Sequence, residues 1–203
     1  MFILIWMGCI SSSGIDVKRM EKKLKQLFHL DNRPFVKFLR DYYGDHEING
    51  AEIGVLYGEN SLSILRLLNV NQLFLIDLFG KIDYKEGIDS GKTIDWGFCY
   101  DIAKNNLRKY NHKTNFIRKY SFDAASDIPD ELDFVYIDAN HDYDAVLQDI
   151  KVYYPKVKKG GVIGGHDYCP RYPGVSKAVN EFFNHPNMIC DNMSNEWWIV
   201  KEN

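Results

Sequence analysis

The sequence predicts an α/β domain built on a mostly parallel sheet with helices on both faces. Three observations carry that reading. From Gly50 onward, short apolar runs alternate with amphipathic stretches, the pattern of successive strand and helix units. Runs such as LFLI and LDFVYI are almost wholly apolar, as strands covered on both sides must be. A chain of 203 residues with 45% hydrophobic content is also long enough to bury one sizeable core.

Taken in order, residues 17–30 place Val17, Met20, Leu24, Leu27 and Phe28 on one helical face, and residues 34–43 repeat the pattern with Phe35, Phe38, Leu39 and Tyr42. These helices form an N-terminal extension, residues 1–48, whose apolar stripes cover the sheet or the substrate entrance. The sheet domain takes residues 49–203. Strands are expected at 51–55, 72–76, 115–118, 132–137 and 162–165, with helices at 60–68, 98–110 and 143–154 between them. A helix carrying Val175, Ala178, Val179, Phe182 and Phe183 follows, and residues 188–190 and 197–200 suit a closing hairpin, with Trp197 and Trp198 filling core and edge. The segment 80–97 is long for a connection, as lids, binding loops and disordered insertions are.

Composition narrows the function classes. A formal charge of -3 argues against a nucleic-acid binder, and the lysine runs near Lys18 and Lys156 read as solvated faces. Cys9, Cys99, Cys169 and Cys190 are scattered without CxxC pairing, which suits a reducing, cytoplasmic setting. The opening MFILIWMGCI is too short to span a bilayer and lacks a signal peptide's basic start. Translation from Met7 would instead expose MGCISS, a myristoylation-type terminus with Gly8 acylated and Cys9 open to palmitoylation.

The polar residues collect at strand ends. In AEIGVLYGENS the first strand turns through Gly54 and Gly58 into a helix, where backbone can approach an anionic ligand closely, although an ordinary strand-to-helix turn reads the same way. Asp77 ends LFLID, where a carboxylate can accept from ribose hydroxyls or merely cap the loop. Glycine turn and acidic strand end together fit adenosine-containing cofactors as a class. Further on, one strand delivers Asp138, Asn140, His141 and Asp142, and another His166 and Asp167. Carboxylates and imidazoles converging at that edge suit a divalent cation or a proton-transfer site.

The order Glu-x-Gly-x-x-x-Gly (Glu52, Gly54, Gly58), Ile-Asp-x-x-His-x-Tyr (residues 137–143), Gly-Gly-x-x-x-x-His-Asp-Tyr (residues 160–168) and Pro-Gly-Val (residues 173–175) resembles class I S-adenosylmethionine-dependent methyltransferases. The likeness is to the small O-methyltransferase group that includes macrocin- and cephalosporin-cluster-type enzymes, and it runs from about Gly50 to Val200. It implies a doubly wound, Rossmann-like sheet of seven strands. It further implies S-adenosylmethionine held by Glu52, Gly54, Gly58, Asp77, Ser121 and Phe122, and a metal, Mg2+ or Mn2+, held by Asp138, His166 and Asp167. His141 would act as base beside Asp138, on a small-molecule or glycan hydroxyl, a sugar ahead of a catechol-like phenol. Relatives that bind metal well carry a carboxylate where this chain has His166, which favours manganese or no metal over magnesium. Tyr143 and Tyr168 are expected to pack or orient. The competing classes are a non-haem iron oxygenase using His141, His166 and one of the acids, a nicotinamide oxidoreductase, and a non-catalytic binding module. A homo-oligomer is left open.

Overall fold

The computed structural model describes residues 33–85, 90–183, 187–189 and 195–202. The chain divides into units Met1–Leu30 and Asp31–Asn203, and all that follows concerns the second. The helix expected at residues 17–30 and the alternative terminus at Met7 lie outside the described residues.

The elements are α1 (Pro34–Tyr43), β1 (Ile48–Ile53), α2 (Glu59–Leu67), β2 (Val70–Ile76), β3 (Lys81–Asp83), β4 (Thr93–Asp95), α3 (Cys99–Asn106) and β5 (Thr114–Ile117). They continue with α4 (Ser121–Ala124), β6 (Leu132–Ile137), α5 (Tyr143–Tyr153), β7 (Val157–Gly165), α6 (Pro173–Phe182), β8 (Asn187–Ile189) and β9 (Glu196–Val200). The main sheet has the order β5-β2-β1-β6-β7-β9-β8. Strands β5, β2, β1, β6 and β7 run parallel, and β9 runs antiparallel to β7 and β8. Six strands make the body of this sheet, and the three-residue β8 flanks its edge. The expected count of seven is met only with that fragment included.

Strand alternation divides the core into two layers. Val135, Ile137, Ala51, Ile53 and Ile163 face α5 and α6 through Val146, Ile150, Val175 and Val179. Phe134, Tyr136, Leu73, Leu75 and Val162 face the other way, against Phe35 and Leu39 of α1 and Ile64 of α2. Trp197 and Trp198, next to each other on β9, accordingly go to opposite layers. Tyr143 and Tyr168 do tie elements together, their hydroxyls donating to Glu181 and Asn180 of α6 at 2.7 and 2.8 Å.

Two expectations change. Strand β7 begins at Val157, five residues before the expected start, and absorbs the Lys-Lys-Gly-Gly stretch through a register shift and Gly160 at φ +72°. Glycines outside the expected strand serve as a bulge within it. Within the segment 80–97, β3 and β4 form a small antiparallel hairpin with Ile82 opposite Ile94. Three-residue strands carry too little alternation to be seen in sequence.

Gly164 sits where α1 crosses the sheet, and a Cβ there would lie 2.5 Å from both the Phe35 ring and the Trp197 carbonyl oxygen. Gly164→Ala therefore overpacks a closed contact and is expected to cost about 1–3 kcal/mol, read as a lowered urea midpoint at unchanged slope. A second test concerns Asp149 of α5, 3% exposed and accepting a hydrogen bond from the Ser121 hydroxyl. Burial pushes its carboxyl up to about 7, so from about pH 3.8 to 7 the folded state keeps a proton that the unfolded state has lost. Asp149 thus makes stability fall with rising pH over that window. Asp149→Asn keeps an acceptor for Ser121 and should flatten that fall, checked by thermal melts between pH 4 and 8.

Candidate functional site

The turn after β1 is built from residues whose neighbours leave them no other shape. Gly54 takes φ +88°, and a Cβ on it would lie 2.0 Å from the Asp138 carbonyl oxygen. Its N–H donates to Ile76 at 2.8 Å, while the Asp138 N–H donates to Ile53 at 2.7 Å. The turn is thereby wedged between the ends of β2 and β6. Gly58, at φ +76°, is the N-cap of α2. Two consecutive donors, the N–H groups of Val55 and Leu56, go to Asp77 Oδ2 at 2.8 and 3.0 Å, and Phe79 N–H goes to Oδ1 at 2.7 Å. Asp77 braces the turn directly.

Glu52 lies beneath the same turn at 1% exposure. Its Oε1 accepts from Asn60 Nδ2 at 2.9 Å and its Oε2 from the Ser61 hydroxyl. Burial pushes this carboxyl up to about 7, although the hydrogen bonds from Ser61 and Asn60 and the charge of Arg33 favour ionisation. Glu52 therefore fastens the first turn of α2 to β1. The four residues expected around the cofactor turn do converge, two as backbone geometry and two as braces.

Ser121 and Phe122 stand at the carboxyl end of β5, two strands from β1 in the same sheet. Ser121 is tied inward to Asp149 and, through its carbonyl, to the Tyr153 hydroxyl at 2.7 Å. Phe122 is 49% exposed and its ring stacks on Tyr120 at 6.5 Å. A short shelf of aromatic surface results.

The densest chemistry lies at the ends of β6 and β7. His141 Nε2 is 2.8 Å from Asp167 Oδ2, and His166 Nδ1 is 3.2 Å from Asp167 Oδ1 and 3.9 Å from Asp138 Oδ1. Burial alone would raise Asp167, but the hydrogen bonds from both imidazoles hold it well below the usual carboxylate range. Asp138 is raised by its burial despite the pull of His166. Burial disfavours charge on both histidines, yet the acids win, and both are raised above the usual histidine value. His141 Nδ1 is out of contact with solvent and has no hydrogen-bond partner among the described residues.

Three of these groups, Asp138, His141 and Asp167, each present a ligand atom within 4.8 Å of the others. That is the compact donor set among the described residues, with His141 in the place expected of His166. Asp167 adopts φ +58°, and His166, beside it in the chain, bonds its Oδ1.

Sequence reasoning missed the supports. The His141 ring lies between Tyr84 at 6.3 Å and Tyr172 at 4.2 Å. Asp142 accepts from Lys85 N–H at 3.1 and 3.0 Å, so the hairpin segment is fastened over the loop after β6. Arg33, just before α1, donates through Nη1 to the Tyr136 hydroxyl at 3.0 Å and to Glu196 Oε1 at 3.4 Å. Glu196 also accepts from Tyr136 at 2.9 Å and from Phe35 N–H at 2.8 Å. A charged pair 163 residues apart carries no local signal.

Among the described residues no helix is long and apolar enough to cross a membrane. Over 90 residues the chain is 39% identical to an uncharacterized protein of Acanthamoeba polyphaga mimivirus, matching 40% of this chain and 41% of that one. It thus spans about two fifths of the length of that curated relative. Solved structures share the fold. A Corynebacterium glutamicum protein matches with TM-score 0.62 at 12% identity over 100% of this chain and 96% of its own. The O-methyltransferase NovP matches with TM-score 0.59 at 19% identity over 83% and 80% of the two chains. A candidate caffeoyl-CoA O-methyltransferase from Staphylococcus aureus matches with TM-score 0.61 at 15% identity over 98% and 97%. The sequence profile of the methyltransferase domain family matches residues 51–168, which run from β1 through the cluster at the end of β7, and on that match the chain belongs to this methyltransferase domain family.

Proposed function

We propose that the protein is an O-methyltransferase that moves a methyl group to an alcohol hydroxyl of a small or glycan acceptor, with His141 as general base. The observation that carries this reading is the Asp167–His141 pair, whose outer nitrogen Nδ1 is buried and unbonded to any described residue. When bound, S-adenosylmethionine supplies a sulfonium methyl group open to in-line attack. The fit is supported by Gly54 and Gly58, which turn the chain at positive φ from β1 into the N-terminus of α2, at the switch in strand order between β1 and β6. Ser121, Phe122 and Asp77 border that crevice, Asp77 by shaping the turn.

The remaining work falls to the chain's own groups. Asp167, held ionised by its two histidines, fixes the proton of His141 on Nε2 and leaves Nδ1 as the acceptor of a hydroxyl proton. Tyr84 and Tyr172 limit tilting of the ring. An alcohol needs such a base more than a phenol does, because its hydroxyl is far less acidic. The free thiols Cys99 and Cys169, both buried, suit a reducing compartment.

A second reading is favoured by one observation. Asp138, His141 and Asp167 could together hold a divalent cation, and a mixed oxygen and nitrogen donor set suits manganese better than magnesium. The metal would make the acceptor hydroxyl more acidic. His141 would then be a ligand and not the base.

His141→Ala should lower kcat about 10²–10⁴-fold while calorimetric affinity for S-adenosylmethionine stays unchanged. Equal loss of cofactor affinity would overturn the base assignment. The two readings part on a chelator: the dyad keeps its turnover after exhaustive dialysis against EDTA, whereas the cation site loses it and regains it with Mn2+.

A further inference from the structure

Asp77 stands between two residues that take left-handed backbone without being glycine, Leu56 at φ +50° and Phe79 at φ +45°. A side chain disfavours that conformation, which persists only where neighbouring groups hold it. The Leu56 N–H donates to Asp77 Oδ2 at 3.0 Å and the Phe79 N–H to Asp77 Oδ1 at 2.7 Å. One carboxylate therefore holds both strained turns, and any group that fixes the second turn also acts on the first.

Arg118 is such a group. It follows β5 directly and is exposed. Its Nε donates to the Leu78 carbonyl at 3.3 Å and its Nη2 to the Phe79 carbonyl at 2.8 Å. These carbonyls belong to the two rigid peptide planes that meet at the Phe79 Cα, so the guanidinium fork fixes the strained residue from both sides. The plane joining Leu78 to Phe79 is held at both ends, its carbonyl by Arg118 and its N–H by Asp77. The guanidinium also lies 5.3 Å from the centre of the Tyr100 ring, and Tyr100 packs against the Phe79 ring at 5.1 Å. Backbone and side chain of Phe79 are thus gripped by the same pair of residues.

We propose that Arg118 is a positioning residue for Asp77, holding the Leu78–Phe79 peptide so that the carboxylate stays turned toward the Val55 and Leu56 N–H groups. The terminal torsion of an aspartate is soft, so its rotation is set by the donors around it. Phe79 N–H engages Oδ1 and thereby leaves Oδ2 for Val55 and Leu56, at 2.8 and 3.0 Å. A peptide released by Arg118 is free to turn, and the donor on Oδ1 is lost with it. With S-adenosylmethionine as the cofactor, the reading on which this rests, Arg118 sets cofactor affinity through Asp77 and not by contact with the ligand.

Two measurements on the full chain test this. Amide hydrogen exchange followed by NMR should show the Phe79 N–H exchanging about tenfold faster in Arg118→Gln than in the wild type, while core amides such as that of Val135 keep their rates. Calorimetric titration with S-adenosylmethionine should show Arg118→Gln weakening binding about tenfold, with Arg118→Lys between it and the wild type. In an Asp77→Asn background, itself weakened, Arg118→Gln should have no further effect, because residues that act as one unit are not additive. Additive losses in the two variants, or unchanged exchange at Phe79, would overturn the positioning role. Should Arg118→Gln fail to fold, Arg118→Lys carries both measurements. Wild-type protein that does not bind S-adenosylmethionine overturns the cofactor reading, and exchange at Phe79 still decides the link from Arg118 to Asp77, so the two failures are distinguishable.

Discussion

Everything at the carboxyl edge depends on one close approach, that of the Gly54 backbone to the carbonyl of Asp138. A side chain at Gly54 would fall 2.0 Å from that oxygen, so β1 and β6 can end side by side only with glycine there. The contact sets where α2 starts, how far the turn projects and where Asp138 and the loop to His141 begin. It also sits where the order of strands reverses, β2 lying on one side of β1 and β6 on the other. At such a point the two connecting helices diverge to opposite faces and leave a crevice. The family match and the site therefore rest on the same piece of backbone.

Charge in that crevice is balanced over distance. Glu52, Glu59 and Asp138 are all raised by burial, and for each of them the Arg33 guanidinium works in the opposite direction. Asp167 differs because two imidazoles hydrogen-bond it, and it alone of these acids is drawn downward. Asp138 nevertheless stands in the same cluster, 3.9 Å from His166, so a raised and a lowered carboxyl face the same imidazole.

The hairpin of β3 and β4 adds a third component. It belongs to a segment that is not needed to close the sheet, yet its Tyr84 lies against His141 and its Lys85 N–H is held by Asp142. A surface insertion thus borders His141, in the way loops on a common scaffold commonly border a functional site.

The strand and helix rhythm, the glycine turn and the polar strand ends were legible because each depends on local chain properties: period, turn residues and short spacing. Sequence alone therefore determined the fold class and brought Gly54, Gly58, Asp138, His141 and Asp167 to one edge. It did not reveal what the acids do there. Glu52 and Asp77, expected at a cofactor, also accept from Asn60, Ser61, Val55 and Leu56, and the compact donor set holds His141 beside Asp138 and Asp167. Arg33 and Glu196, 163 residues apart, and Tyr84 beside His141 meet only when the sheet closes. A carboxylate's role is decided by which donors reach it and how much water is removed, and both are properties of the tertiary structure.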